Sequence, residues 1–427
     1  MERDRIVGLE IQGLRCLHEV RLRFDGLTVL IGENGSGKSS VLEALEILRR
    51  AATPSFIEAF HTYHGGLIEL LEDGASELRL RVLIDGPDGT LSYLLGLARD
   101  GNGTSISTER LDLGPAVPVD EQADHSRQPR QAGGQRGRQQ PARPFVLRDR
   151  SVAQVWNQKS ATIEAAALKS PGHLVLTAYG DNPPNPAIGR VQRALEGIAV
   201  HVAFEVRAEW VRRNNQGIPA GLRSQNMIRP VDSLSPLGFN LANVYFKLRN
   251  QPGWDETLEY VRLGLGEDVE DVRTDAVPGG GHIALEVKYR GVSLPTPLAA
   301  LSDGTLAYLA FVALYRLPGS GGLLAFDEPE THLHPALATR VLDMFESMAH
   351  DRPVVLATHS DRLLDGLSEP AKSAVLFELD SQRRTRILQP DEKRLQKWLE
   401  EYRGLGDVRA EGHENDVMKP ADGAPES

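Results

Sequence analysis

The pattern of apolar and polar residues begins with a strand-like run that is followed by a helix-like run. LTVLI at 27–31 is apolar and β-branched, which is typical of a buried strand. SSVLEALEILRR at 39–50 repeats its apolar residues at helical spacing. The sequence therefore predicts a strand and a helix that are joined by the short loop between them.

Strand-like patterns also occur on both sides of this pair. ELRLRVLID at 77–85 and LSYLLGLAR at 91–99 flank the turn GPDG and predict an antiparallel hairpin. We expect short strands within 1–31 and more strands within 268–297. Later apolar runs predict further strands: LLAFDE at 323–328, PVVLAT at 353–358 and FELD at 377–380.

Helical spacing of apolar residues recurs at 188–198, 241–250 and 300–316. Before the first of these, residues 102–144 are rich in Gln, Arg, Gly and Pro, so we expect a disordered or mobile insertion there. A solvated linker and a flexible arm that contacts nucleic acid or a partner both fit this composition. The arginines that make the segment locally basic are Arg127, Arg130, Arg136, Arg138 and Arg143.

Composition is typical of a globular protein and not of a membrane-spanning or disulfide-rich one. Of the 427 residues, 41% are hydrophobic and 25% are charged, and no run of 18 apolar residues predicts a membrane span. The N-terminal stretch lacks a signal-peptide core, and a single cysteine, Cys16, excludes an intrachain disulfide. We therefore expect a cytoplasmic location. Because the net charge is −11, contact with DNA would need a local basic patch.

The loop between the first strand and helix carries the strongest chemical signal. Gly32, Gly37, Lys38 and Ser39 match the pattern G-x-x-x-x-G-K-[ST], and Gly35 adds a third glycine. Glycines let the main chain curl so that successive N–H groups surround a phosphate. The lysine can reach the β- and γ-phosphates, and the serine hydroxyl can ligate Mg²⁺. Strand, loop and helix follow in the required order, which argues against a chance glycine-rich turn.

Two carboxylates stand where the predicted strand LLAFDE ends. In an α/β sheet such a strand delivers its last residues to the edge at which phosphates bind. Asp327 can hold Mg²⁺ directly or through water, and Glu328 can accept a proton from an attacking water. An exposed strand end is the alternative, and the presence of the phosphate loop weakens it.

Two further stretches complete the candidate site. Ser302 and Gly304 lie in SDGT at the start of a predicted helix, which alone would indicate an ordinary N-cap. Because this helix precedes FDEPE, we interpret its start as a receptor for the γ-phosphate. His359 follows a predicted strand and can hydrogen-bond the γ-phosphate and orient the attacking water. A structural histidine is the alternative.

Together, IGENGSGKSS, LSDGT, LLAFDEPETHLHP and LATHS resemble the ABC-type ATPases of the RecF, SMC and Rad50 class. The sequence is most similar to bacterial AAA-family proteins with RecF-like heads, which occur in overcoming-lysogenization-defect and phage-defence systems. The resemblance covers about residues 1–100 and 230–380. The Q-loop glutamine of the family has no clear counterpart, and HGGLIELL at 64–71 occupies its region.

The resemblance assigns roles to the residues of the phosphate loop and of the strand ends. Lys38 and Ser39 resemble the Walker A lysine and the magnesium ligand. Asp327 resembles the Walker B aspartate, Glu328 the catalytic base and His359 the switch histidine. The expected nucleotide-binding loop consists of Gly32, Glu33, Asn34, Gly35, Ser36, Gly37, Lys38, Ser39 and Ser40.

The resemblance also predicts a contact between two chains. Ser302, Asp303 and Gly304 resemble the signature motif, which in this class contacts the ATP of the opposite subunit. THLHP at 331–335 occupies the place of the dimer-contacting D-loop. ATP and Mg²⁺ are the implied cofactors, and a homodimer that sandwiches ATP, or a higher oligomer, is the implied assembly.

Two functions remain open for such an ATPase. The first is action on double-stranded DNA in repair or anti-phage defence. The alternative is a regulatory scaffold that holds and releases a separate effector protein, such as a nuclease or a toxin. A transporter-associated ATPase is disfavoured, because Lys38 and Ser302 are far apart in the chain and membrane-coupling features are missing.

The implied fold is α/β: an ABC-type P-loop ATPase head with an antiparallel β lobe and a mostly helical insertion. Relatives that contain a nuclease carry a C-terminal acidic domain, for which the stretch after His359 is too short. Five segments are predicted: the Walker A half of the head with the β lobe (1–101), the disordered insertion (102–144), a helical or mixed lobe (145–265), the signature, Walker B and switch half (266–395), and a C-terminal helix with a disordered tail (396–427).

Overall fold

A computed structural model describes residues 4–101, 103–114, 144–206, 221–277, 280–319, 321–400 and 402–420. The chain divides into two compact units. The first unit comprises residues 1–23 and 46–196, and the second comprises residues 24–45 and 197–427. Within the described ranges, no helix combines the length and the apolar character that crossing a membrane requires.

The elements of both units are numbered in chain order. The strands are β1 (Arg5–Leu14), β2 (Leu17–Arg23), β3 (Leu27–Gly32), β4 (Glu77–Asp85), β5 (Leu91–Asp100), β6 (Gly103–Leu113), β7 (Val146–Asp149), β8 (Val152–Asn157), β9 (Thr162–Ala165), β10 (Ala199–His201), β11 (Asn226–Met227), β12 (Val269–Ala276), β13 (His282–Tyr289), β14 (Thr296–Pro297), β15 (Leu324–Asp327), β16 (Val354–Thr358), β17 (Ala374–Leu379), β18 (Thr385–Pro390) and β19 (Met418–Pro420). The helices are α1 (Lys38–Ala51), α2 (Phe56–His64), α3 (Val175–Ala178), α4 (Pro186–Glu196), α5 (Leu241–Arg249), α6 (Trp254–Leu265), α7 (Asp303–Arg316), α8 (Pro335–Ala349), α9 (Asp361–Asp365), α10 (Pro370–Ser373), α11 (Glu392–Trp398), α12 (Leu405–Ala410) and α13 (Glu414–Val417).

The first unit is built on an antiparallel sheet with the strand order β2-β1-β4-β5-β6-β7-β8-β9. Alternate residues of β4 are fully buried, namely Leu78, Leu80, Val82 and Ile84. This alternation is expected of a strand that packs one face on a core. The predicted hairpin is confirmed, since β4 pairs antiparallel with β5.

The second unit is built on a sheet with the strand order β10-β15-β16-β3-β17-β18-β19. The strands from β10 to β17 are parallel to their neighbours, and β18 and β19 are antiparallel. The parallel strands are almost continuously apolar, because both faces of the sheet are covered. The carboxyl ends of β3, β15 and β16 therefore meet at one edge of the sheet, where ligands bind in open α/β folds.

A smaller sheet also belongs to the second unit, with strand order β11-β13-β12 and with β14 paired to β13. Helix α7 is buried on nearly all sides between Leu306 and Leu314. This burial explains why its sequence is apolar throughout and shows little amphipathic pattern.

The predicted α/β fold with an antiparallel lobe is confirmed, and so are the strands and helices named from the sequence. Residues 145–265 contain the helices α3 to α6 and also the strands β7 to β11. Apart from the start of the disordered insertion and the extent of the C-terminal tail, the five segment boundaries remain a prediction.

Two predictions of disorder are wrong in part. Gly103–Leu113 form β6, because their apolar residues pair with β5, and so the predicted insertion starts too early. The arginine-rich stretch at 115–143 lies outside the described residues. The predicted C-terminal tail contains α13 and β19, since Val417 and Met418 are buried and β19 pairs with β18. Residues 421–427 also lie outside the described part.

Candidate nucleotide-binding site

The loop between β3 and α1 adopts the conformation that its glycines predict. Gly32, Gly35 and Gly37 all have positive φ angles, of 155°, 80° and 105°. A Cβ atom on Gly32 would clash with the carbonyl oxygen of Phe377 in β17. Glycine is therefore required for conformation at all three positions and for space at Gly32.

Lys38 is buried at the start of α1 and folds back over the loop. Its Nζ donates hydrogen bonds to the carbonyl oxygens of Gly32, at 2.7 Å, and Glu33, at 2.8 Å. Burial lowers the pKa of Lys38, and the carboxylates of Asp327 and Glu328 oppose this effect. The ammonium group is held by backbone carbonyls inside an otherwise acidic site.

The serines of the loop occupy different environments. The carbonyl of Ser36 accepts a hydrogen bond of 2.8 Å from the Thr385 hydroxyl in β18, which fixes the loop to the sheet. The Ser36 hydroxyl is buried and has no hydrogen-bond partner within the described ranges. Ser40 is buried in α1 and Ser39 is exposed. Glu33, Asn34 and Gly35 form the exposed tip of the loop.

Ser39 and Asp327 join the two nucleotide motifs directly. The Ser39 hydroxyl lies beside the Asp327 carboxylate at the end of β15, near enough to lower its pKa by hydrogen bonding. Burial raises the pKa of Asp327, while the bond from Ser39 and the charge of Lys38 lower it. A hydroxyl and a carboxylate at one point are oxygen ligands of the kind that Mg²⁺ prefers.

Glu328 follows Asp327 in a strained backbone conformation, with φ at 50°. Such an angle is unusual for a residue with a side chain, and strain of this kind clusters at functional sites. The Glu328 N–H donates to the carbonyl of Ala357 at 2.8 Å. Its carboxylate lies 3.3 Å from Nδ1 of His359 and accepts a long hydrogen bond from Thr331.

Glu330 belongs to the same group, and the sequence reasoning missed it. The Thr358 hydroxyl donates to its Oε1 at 2.5 Å, and His359 Nδ1 lies 4.0 Å from that oxygen. The other oxygen, Oε2, is buried and lacks a hydrogen-bond partner among the described residues. The third acid of DEPE was the available signal, because it is close to Asp327 and Glu328 in sequence.

The predicted signature residues form a capped helix start. The Ser302 hydroxyl accepts a hydrogen bond of 3.2 Å from the backbone N–H of Thr305 and pairs with the Thr305 hydroxyl at 2.8 Å. Asp303 accepts a hydrogen bond of 2.6 Å from Arg223. A Cβ atom on Gly304 would lie 3.0 Å from the carbonyl oxygen of His332, so this glycine permits a close approach.

Arg223 is a second residue that sequence reasoning missed. It is buried, and its guanidinium also donates to the carbonyls of Leu298 and Leu301, which precede the signature. A buried arginine that donates to several carbonyls fixes the backbone around it. The irregular sequence around Arg223 gave no signal of this role. His334, in the predicted D-loop, caps α8 by accepting from the Ala336 N–H.

The structure thus brings Lys38, Ser39, Asp327, Glu328 and His359 together around the phosphate loop. The contacts of Ser302, Asp303 and Gly304 are with Thr305, Arg223 and His332.

Two family models match parts of the chain. The model described as "AAA ATPase domain" matches residues 5–84, which include the phosphate loop. The model described as "AAA domain, putative AbiEii toxin, Type IV TA system" matches residues 271–365, which include the signature, Asp327, Glu328 and His359. A search of curated proteins found no match.

Solved structures of SMC heads are similar to the chain. A head bound to the C-winged helix domain of ScpA is 14% identical, with a TM-score of 0.52, and the alignment covers 92% of this chain and 99% of that one. An SMC head domain from Thermotoga maritima is 11% identical, with a TM-score of 0.43 and coverage of 91% and 99%. The first likeness shows a shared fold. The two family matches, this fold and the strand-loop-helix site support an ABC/SMC-like P-loop ATPase.

Proposed function

We propose that the chain binds ATP with Mg²⁺ at the loop 32–40 and hydrolyses it to ADP and phosphate. The observation that carries this proposal is the parallel pairing of β16 with both β3 and β15. This pairing brings the loop 32–40, which follows β3, and Asp327, at the end of β15, to the same edge of the sheet, although they are far apart in sequence. The buried, partnerless hydroxyl of Ser36 and the backbone-bound ammonium of Lys38 lie in the same loop.

The residues present fit a magnesium ion. Ser39 and Asp327 would hold it, because they offer a hydroxyl and a carboxylate oxygen in contact with each other. When bound, the ion supplies charge neutralisation for the phosphates.

Hydrolysis of ATP depends mainly on positioning and charge stabilisation. Glu328 is placed to accept a proton from water, because its carboxylate is partly exposed and reaches His359 at 3.3 Å. His359 would orient the water and hydrogen-bond the γ-phosphate. Lys38 would leave its carbonyl partners for the β- and γ-phosphates, which are stronger acceptors.

The active form in this proposal is a homodimer that sandwiches two ATP molecules, alone or within a higher oligomer. Ser302, Asp303 and Gly304 would contact the ATP of the opposite chain. Their fixed and exposed helix start supports this role, since a preorganised helix N-terminus binds phosphate well. ATP binding would close the dimer and hydrolysis would open it.

The proposed role is action on double-stranded DNA in repair or anti-phage defence, in the cytoplasm. The alternative is a regulatory scaffold that holds and releases an effector protein. The net charge of −11 favours the scaffold, because it disfavours long-range attraction to DNA. The arginine-rich stretch at 115–143 favours DNA.

Steady-state ATP turnover, measured with and without double-stranded DNA, tests this proposal and separates the two roles. The control is Glu328→Gln, whose turnover should fall by about 10²- to 10⁴-fold. Stimulation by DNA that fades as salt is added would support phosphate-backbone contacts. Turnover that is indifferent to DNA would favour a protein effector, and absence of magnesium-dependent turnover would refute the ATPase.

A further inference from the structure

The C-terminal segment 402–420 packs against the helix that follows the switch histidine. Gly404 and Gly406 approach Asp365 and Asp361 of α9 so closely that a Cβ atom at either position would clash. The N–H of Asp407 donates to the Asp365 carboxylate at 2.9 Å. Helix α12 therefore lies against α9, which begins two residues after His359.

This packing places Arg409 of α12 in an acidic setting. Its Nη1 donates to the carboxylate of Asp361, and its Nε lies 3.1 Å from Oε2 of Glu414. The Nε is buried and makes no hydrogen bond of good geometry within the described ranges, so the contact with Glu414 is an ion pair only. The Arg409 side chain is only 18% exposed, and its guanidinium retains donor capacity for another acceptor.

Arg409 lies beside the phosphate loop through its acid partner. Asp361 stands three residues after Thr358 of β16, and Thr358 pairs with Ile31 of β3, immediately before the loop. The positive charge of Arg409 adds to burial in lowering the pKa of Lys38, in agreement with this placement.

We propose that Arg409 is a second cationic residue for the polyphosphate of the nucleotide and binds it together with Lys38. This inference rests on the proposed function, namely that ATP binds at the loop 32–40. In the free protein, Asp361 and Glu414 hold the guanidinium beside the loop and offset its repulsion of Lys38. When a polyphosphate enters, its oxygens become acceptors that match the planar fork of arginine.

Segment 402–420 contacts several elements that border the phosphate loop. Segment 402–420 supplies the cation, α9 supplies its holding acid, and β19 pairs with β18, whose Thr385 holds the carbonyl of Ser36. Each contact ties the segment to a part of the site.

Calorimetric binding of ATP with Mg²⁺ tests the inference in the full chain. Arg409→Ala should weaken the affinity by roughly tenfold to a hundredfold, the expected cost of losing charge-assisted hydrogen bonds. Arg403→Ala is the matched control: Arg403 lies in the same segment, pairs with Asp407 and is 86% exposed, so its loss should change the affinity less than about twofold. Unchanged affinity of Arg409→Ala would overturn the inference, whereas a wild-type chain that binds no ATP would refute the proposed function itself.

A triple variant tests whether Arg409 contacts the phosphates directly or only neutralises the acids Asp361 and Glu414. In Arg409→Ala with Asp361→Asn and Glu414→Gln, the two carboxylates that Arg409 covered are replaced by neutral amides. Affinity that stays low supports a contact between Arg409 and the phosphates, and affinity restored to the wild-type value overturns it. If Arg409→Ala does not fold, Arg409→Lys replaces it. That variant keeps the charge and loses the fork, so a loss of several-fold is expected and no loss would contradict the inference.

Discussion

The two units of the molecule each bury a cluster of charged groups, and the clusters differ in how well their members are satisfied. In the first unit, Glu109 is fully buried and accepts hydrogen bonds from the N–H groups of Val175 and Leu176 and from the hydroxyl of Tyr93. Arg148 lies nearby and donates to backbone carbonyls. Every member of this cluster has partners, as a structural polar network requires.

The cluster at the phosphate loop of the second unit is incomplete. Ser36 Oγ and Glu330 Oε2 are buried without hydrogen-bond partners in the described part, and Glu328 has a strained backbone. Burial raises the pKa of Asp327 and lowers that of Lys38. Unsatisfied buried groups cost stability, so they are expected where a ligand supplies the missing partners. The first cluster therefore satisfies its own polar groups, whereas under the proposed function the nucleotide and Mg²⁺ would supply the missing partners of the second.

The largest expected effect is the loss of ATP binding in Lys38→Ala. In our account the Lys38 ammonium leaves its two carbonyl partners in the loop and binds the phosphates. Its loss should therefore lower the affinity by about a hundredfold or more. Equilibrium binding of ATP checks this. Lys372→Ala is the control, because Lys372 is 69% exposed and pairs with Glu369, three residues before it. Wild-type affinity in Lys38→Ala would contradict the proposal that ATP binds at the loop 32–40.

Glu328→Gln should separate binding from chemistry. The amide keeps the size of the side chain but cannot accept a proton from water, so turnover should fall by about 10²- to 10⁴-fold. Because Glu328 is placed on the water and not on the nucleotide, ATP affinity should remain within a few-fold of wild type. Single-turnover hydrolysis measures this, and hydrolysis at the wild-type rate would show that another residue is the base.

Glu109→Gln should cost stability and leave ATP affinity unchanged. The new NH₂ group would face a backbone N–H that now donates to the carboxylate, which should lower the free energy of unfolding by about 1–3 kcal/mol. Urea unfolding measures this loss. Glu164→Gln, at an exposed position of the same unit, should change it little. A Glu109→Gln chain as stable as wild type would contradict the structural interpretation of the cluster.

The effect of Asp327→Asn on the free energy of unfolding should be the smallest of these effects, and it should be a gain of stability where Glu109→Gln gives a loss. Burial raises the pKa of Asp327 in the folded state, so the folded state binds the proton more tightly than the unfolded one. Stability should therefore fall as pH rises from the unfolded to the folded pKa, and the penalty persists above it. The neutral amide should remove this slope and raise the free energy of unfolding at neutral pH by up to about 1 kcal/mol. A loss of stability instead would show that the cluster is already satisfied.

The sequence predicted the residues of the site better than their supports. Lys38, Ser39, Asp327 and Glu328 were predictable because each lies in a short local pattern at the end of an apolar strand. The parallel register of β3, β15 and β16 then brings them together. These contacts follow from topology, which the strand-and-helix pattern constrains.

The supporting residues could not be predicted, since their partners are distant in sequence. Arg223 contacts Asp303, and Arg409 contacts Asp361, from stretches without apolar periodicity. The C-terminal tail was expected to be disordered because its polar composition hid two buried residues, Val417 and Met418. Such segments are ordered by a few long-range contacts, which the local sequence pattern does not reveal.

A mixing experiment tests the central claim that each complete site combines the phosphate loop of one chain with the signature helix of another. Lys38→Ala removes the first element, and Ser302→Arg blocks the second, so each variant alone should lack turnover. When equal amounts are mixed, about half of the dimers are mixed and contain one intact site, which predicts about a quarter of wild-type ATP turnover. A mixture as inactive as its two components would contradict the account.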